Sequence, residues 1–245
     1  AGFHEWRNHL YWGVFCPNYY VLSTAQATYG SLTSPDALAF ILGNYRTPSF
    51  WRIDKDNNYE LLYGDTTNPK PVYDKEGKIE NWELEPSGLE AKWGRGGFGN
   101  LWTIYIWAIQ EYDGNMYVGT MDLSNLADAA GSNLVGDASF ATLSKLLTGL
   151  DASDEGFELL RMTDEEEAPK YITENGFNNA QQYGVRNLEV IDGRLMLGSA
   201  SMSSLKPNGG WHVLSITDDK NSASVSQSMI KKPGIIMERN AGYIN

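Results

Sequence analysis

Apolar and polar positions alternate along most of this chain, and glycine breaks the alternation at regular intervals. Residues 105–112 (Tyr-Ile-Trp-Ala-Ile-Gln-Glu-Tyr) read as a strand. Asp113-Gly114 follows as a tight hairpin signal, and Met116-Tyr117-Val118-Gly119-Thr120 reads as the returning strand. Gly119 inside that strand predicts a place where a neighbour comes close to the backbone. A third strand opens on a Gly-aromatic pair, Gly156-Phe157 in one stretch and Gly210-Trp211 in another.

The whole pattern recurs. Residues 96–120 lie over 175–199 without a gap, so that Gly97, Phe98, Asn100, Asp113, Gly114 and Gly119 meet Gly176, Phe177, Asn179, Asp192, Gly193 and Gly198. An earlier, less regular copy starts at Phe3. Its turn is predicted at Asn8-His9, its second strand at Leu10-Tyr11-Trp12-Gly13 and its third at Phe50–Asp54; Tyr59–Gly64 supply a fourth. Each copy is thus expected to be a small antiparallel sheet of up to four strands. Two copies carry insertions between the second and third strands. In the first, Ser34-Pro35-Asp36 starts a short helix and Gly43 is expected to end it. In the second, Phe140, Leu143, Leu146 and Leu147 recur at helical spacing between Asp137 and Gly149.

The string Gly-aromatic-x-Asn occurs as GGFGN (96–100), within NGFNN (175–179) and as AGYIN (241–245). Together with Asp-Gly-x-Met/Leu, the strand glycine and the later Gly-aromatic pair, it resembles the blade repeats of large extracellular β-propellers of bacteria and archaea. That resemblance implies an all-β β-propeller with three blades in this chain, part of a larger ring, with short helical insertions. Blade one would span about 1–94, blade two about 95–173 and blade three about 174–240. Three blades do not close a ring. The expected partner is therefore the rest of a longer polypeptide or a second copy.

The resemblance also implies an extracellular or cell-surface setting, and a central channel lined by each blade's first strand. Channel candidates are His4, Gln110 and Glu189 at one repeat position, with Trp107 and Arg186 at another. An indole and a guanidinium are suited to stacking on a sugar ring or holding a carboxylate. The expected function is a non-catalytic recognition or assembly module for a carbohydrate or protein ligand. The alternative is a carbohydrate-active enzyme, a polysaccharide lyase or glycoside hydrolase, with its site at the channel.

Composition narrows this little further. Aromatic residues make up 12% and charged residues 20%, which fits a folded chain with a large core. A net charge of −12 repels phosphate and argues against general nucleic-acid binding. No apolar run is long enough for a membrane span. The single cysteine, Cys16, cannot form an internal disulfide. Asp54, Asp56 and Asn58 open like a calcium loop, but Tyr59 stands where such a loop needs glycine, and solvated hairpin turns account better for this stretch and for the acidic run at 164–167. The histidines (His4, His9, His212) match no metal spacing, and no phosphate loop, dinucleotide fingerprint or nucleophile elbow is present.

Overall fold

The structure is a computed structural model that describes residues 2–124, 155–201, 204 and 208–216. It is mostly β, with a curled main sheet. Unit one is the antiparallel meander β1 (Phe3–Trp6), β2 (His9–Gly13), β3 (Phe50–Asp54) and β4 (Tyr59–Tyr63). Helices α1 (Tyr19–Tyr29) and α2 (Pro35–Asn44) lie between β2 and β3. After β4 come a separate hairpin, β5 (Thr67–Tyr73) with β6 (Ile79–Pro86), and then β7 (Ala91–Gly94), which pairs parallel with β4. Unit two is β8 (Thr103–Tyr112), β9 (Asn115–Asp122), β10 (Leu159–Met162) and β11 (Lys170–Thr173). Unit three is β12 (Gln182–Ile191), β13 (Arg194–Ser201) and β14 (Val213–Ile216).

The two seams between units are built the same way. One bridge pair, Phe15 with Tyr105, joins units one and two, where Gly2 N also donates to Ile106 O (3.2 Å); Met121 with Gly184 joins units two and three. Both pairs occupy the same repeat position. Beside them, a Cβ on Gly13 would fall 2.2 Å from Ile106 Cβ, and one on Gly119 would fall 2.4 Å from Val185 Cβ. Each glycine therefore lets an aliphatic side chain of the next unit rest on its backbone. At the hairpin end, Trp6 Nε1 donates to the Gly114 carbonyl (3.2 Å), as Tyr112 Oη donates to the Gly193 carbonyl (3.0 Å).

The apolar faces behind these contacts also correspond. Unit two turns Ile106, Ile109, Met116, Val118, Leu160 and Met162 onto Trp6, Tyr11 and Phe50 of unit one. Unit three turns Val185, Leu188, Leu195, Leu197, Leu214 and Ile216 onto Tyr117, Phe157 and Leu159 of unit two.

The Gly-aromatic-x-Asn string is the link between units. Gly97 and Phe98 have φ of +65° and +56°, and Gly176 and Phe177 have φ of +60° and +59°. The left-handed pair turns the chain and drives the ring back onto the preceding unit. Phe98 packs at 5.7 Å from Phe50, and Phe177 at 5.9 Å from Phe157. Gly97 N donates to Pro48 O (2.7 Å) as Gly176 N donates to Phe157 O (2.9 Å). The copy of the string at 241–245 and the second expected helix lie outside the described residues.

Several expectations need correction. The first hairpin turns at Arg7-Asn8 (φ 47° and 66°), one residue before the expected pair; these are the positions of Asp113-Gly114 and Asp192-Gly193. Asn tolerates the left-handed region without glycine. Strands β10 and β14 begin three residues after the glycines of their Gly-aromatic openings: Phe157 bonds Gly176 and Gln182 of the following link and unit, and the Gly210 carbonyl accepts from Gln182 Nε2 of its own unit. Helix α2 starts as expected, with Ala37 N donating to Ser34 Oγ (3.2 Å), but it passes through Gly43 and ends at Asn44. Gly43 is buried against Trp82 of β6. Helix α1, unheralded by any capping side chain, is held by tertiary contacts. Asn18 bonds both the amide and the carbonyl of Arg46, which closes the neck of the insertion. The two helices bury Ala25, Leu32, Ala37 and Ile41 against Trp102.

The seam geometry gives a direct expectation. Gly119→Val should lower unfolding free energy by more than about 3 kcal/mol, since the new side chain must displace Val185 and the strand that carries it. Urea unfolding would measure it.

Candidate functional site

The first strands of units two and three carry a ribbon of ring and guanidinium groups. Phe15 lies 4.8 Å from Tyr105, and Tyr105 stacks on Trp107 at 5.4 Å with 22° between planes. The Arg186 guanidinium sits 4.7 Å from the Trp107 ring. Gly184 makes this possible, since a Cβ there would fall 2.7 Å from Trp107 Cζ3. The ribbon thus crosses both seams. Phe15 and Arg186 are exposed, and Tyr105 and Trp107 are half-buried. Trp107 and Arg186, singled out by their shared repeat position, are in direct contact across a seam; they are not spaced to grip a ligand from two sides.

His4, Gln110 and Glu189 occupy one register position, opposite Tyr11, Tyr117 and Met196 respectively. His4 and Gln110 are half-buried and Glu189 is exposed. No hydrogen bond among the described residues joins the three, and Gln110 Nε2 donates to the adjacent Glu111 carbonyl (3.0 Å).

The expected calcium residues form a self-contained turn. Asp54 Oδ1 accepts from Asp56 N (2.8 Å) and Asn58 N (2.9 Å), and Oδ2 accepts from Asn58 Nδ2 (2.8 Å). These donors hold the Asp54 carboxyl below its ordinary range. Among the described residues no group of three or more His, Cys, Asp or Glu side chains could hold a metal ion.

Two polar clusters escaped the sequence reading. The first contains the acidic run expected to be solvated. Arg52, buried on β3, donates to Glu60 (Nε, 2.6 Å), to the Glu165 carbonyl (Nη1, 2.7 Å) and to Glu166 (Nη2, 2.9 Å). Lys92 meets Glu166 at 2.6 Å, His9 Nδ1 meets Glu165 at 2.6 Å, and Tyr11 Oη donates to Glu165 at 3.3 Å. The hairpin of unit two is thereby riveted to unit one. Lys92 and Arg52 hold the Glu166 carboxyl down at about 2. Burial pushes the Tyr11 phenol up to about 12.

The second cluster centres on Glu158, which is 2% exposed. Its carboxyl accepts from Asn100 Nδ2, Thr120 Oγ1 and Thr103 Oγ1, the last at 2.9 and 3.0 Å. Asn100 Nδ2 also donates to Asp122 (2.8 Å). Burial, reinforced by the Asp122 charge, pushes the Glu158 carboxyl up to about 8. Unit three repeats the scaffold with neutral groups. His212 N donates to Ser199 Oγ (2.8 Å) as Glu158 N donates to Thr120 Oγ1 (2.9 Å), and Gln182 accepts from Ser199. An acid inside the apolar run Phe157–Leu160 was the available signal. Cys16 is half-buried, and burial with the nearby Asp65 charge pushes its thiol up to about 11, so it is a poor nucleophile at neutral pH.

The chain matches no protein-family model and no curated protein.

Both clusters yield measurable expectations. Native Glu158 keeps its proton up to about pH 8, whereas an unfolded glutamate releases it near 4.5. The native state then holds the extra proton between those values. Its contribution to stability is complete below the lower value and is lost as pH rises through the window, at a slope of up to about 1.4 kcal/mol per pH unit. Glu158→Gln should flatten that decline in urea midpoints measured from acid to mildly alkaline pH. Separately, Arg52→Ala should cost about 2–3 kcal/mol by the same assay, because it strands the carboxylates and carbonyl that converge on the guanidinium.

Proposed function

We propose that this chain is an arc of a β-propeller and serves, outside the cell, as a non-catalytic recognition module. Its ligand surface is the ribbon Phe15–Tyr105–Trp107–Arg186. Two like seams in succession support the propeller reading, since a repeated contact between like sheets is what a radial array is built from. The observation that carries the functional reading is the ribbon itself. It is a part-exposed aromatic and cationic surface on the first strands of units two and three, continued by Phe15 after the second strand of unit one, and held by strand pairing and by a glycine beneath the indole. Ring faces take the apolar face of a sugar, and a guanidinium takes a carboxylate. An acidic oligosaccharide matches both.

A second reading, a carbohydrate-active enzyme, has one observation in its favour: His9, Tyr11, Arg52 and Glu165 converge. Those groups are spent on one another. Every Arg52 side-chain nitrogen already donates, and Tyr11 is fully buried with a phenol too weakly acidic to act as a base at neutral pH.

Titration with uronate-containing oligosaccharides, followed by tryptophan fluorescence, tests the proposal. Saturable quenching is expected, weakened at least tenfold in Trp107→Ala and in Arg186→Ala. Quenching that survives both substitutions would remove the ribbon from the reading. Appearance of unsaturated or shortened sugars would replace the module with the enzyme.

A further inference from the structure

Strands β5 and β6 form a sheet of their own, with no third strand among the described residues. Trp82 of β6 anchors this hairpin to α2, at 5.2 Å from Phe40 and against Gly43. Such a sheet has two outer edges, and the sequence treats them differently. On β5, Pro69 stands opposite Leu84 and Pro71 opposite Trp82. A proline nitrogen has no hydrogen to give to the ladder, so at both pairs the nitrogen points away from β6. The outer edge of β5 therefore lacks two successive donors and is closed to another strand.

The outer edge of β6 is open. Residues opposite one another in an antiparallel pair turn their amides inward together or outward together. Trp82 and Leu84 therefore direct amide and carbonyl outward, and no hydrogen bond among the described residues meets those groups. Every residue of β6 except Trp82 is exposed, Leu84 by 56%. Proline enters this strand only at its last position, Pro86. Its charge is of one sign: Glu80, Glu83 and Glu85 are its ionisable residues. Lys70 across the hairpin meets Glu85 (3.2 Å), which leaves Glu80 and Glu83 without an ion-pair partner among the described residues. Glu83 and Glu85 share one face of the strand, and Leu84 lies on the other beside Trp82.

We propose that this edge binds an extended basic segment of another protein as a third strand. The outward groups of Trp82 and Leu84 supply the backbone bonds. Alternate side chains of the segment meet Glu83 and Glu85 on one face and Leu84 on the other. Charge decides the occupant. A second copy of β6 would set glutamates beside glutamates, and like charges across a strand pair destabilise it. A strand with lysine or arginine at every other position reverses that sign. Exposed ion pairs are individually weak, so the backbone bonds carry the affinity and the carboxylates select the partner. Neither the ribbon nor the propeller arrangement is involved.

The probe is a terminally blocked peptide of alternating lysine and valine, about six residues long as strands usually are. Its binding to the full chain is read by fluorescence anisotropy of an attached dye. Saturable binding is expected, with slowed amide exchange at Trp82 and Leu84. Leu84→Pro removes one outward donor and mirrors Pro69 on the facing strand, so the variant should fold, as circular dichroism would verify. Its binding should fall by about tenfold or more, whereas Leu84→Ala keeps the donor and should stay within about threefold of wild type. Glu83→Gln should weaken binding about fivefold. Four results would overturn the proposal: no binding of the lysine-valine peptide, equal binding of a glutamate-valine peptide, full binding of the peptide N-methylated along its backbone, or binding indifferent to Leu84→Pro. A chain that instead dimerises, and loses its dimer in Leu84→Pro, would replace the basic segment with a second copy.

Discussion

A missing side chain organises this molecule. Gly13 and Gly119 leave bare backbone in the middle of a second strand, and Ile106 and Val185 occupy the space. Nothing larger than hydrogen fits, so the distance and angle between successive sheets are set at that point. The aliphatic rows behind it then bury themselves against Trp6, Tyr11 and Phe50 in one seam and against Tyr117, Phe157 and Leu159 in the other. Because the same constraint acts twice, the second seam inherits the geometry of the first. The stacking of Arg186 on Trp107 over Gly184 follows from that geometry, since the two groups come from different sheets.

The polar interior follows a similar economy. In unit two a carboxyl, Glu158, accepts from Asn100, Thr103 and Thr120 beside a second carboxyl, Asp122. In unit three Gln182 and Ser199 perform the corresponding task without charge. A buried carboxyl next to an anion is costly when ionised, which raises the pH at which Glu158 gives up its proton. Both arrangements hold the amide just before a third strand to a second-strand hydroxyl. The Arg52 cluster ties the opposite end of the first seam, and there the charges remain paired near the surface.

Much of the fold was legible because short-range chemistry carried it. The hairpin Asp-Gly pairs, the left-handed Gly-Phe link and the Ser34 cap each act over a few residues. Helix α1 was not legible. Its N-cap residue, Asn18, turns its side chain to Arg46 and makes no cap hydrogen bond, and the helix exists through burial against α2 and Trp102. The parallel strand β7 and the β5–β6 hairpin were missed for the same reason: what fixes them lies far away in sequence. At the candidate site, repeat alignment placed Trp107 and Arg186 at equivalent positions, but it could not reveal that they touch each other.

By itself the sequence determined that the chain is a succession of like antiparallel sheets, because strand alternation, turn chemistry and strand glycines are local and recur in register. Only the tertiary structure decided what those sheets present to one another. Arg52 finds Glu60 within its own sheet but Glu165 and Glu166 across a seam, and Tyr105 finds Phe15, through contacts between residues far apart along the chain. Which acids are solvated and which are clamped, and which aromatic rings remain open to a ligand, depend on how one sheet turns against the next, and no local pattern encodes that angle.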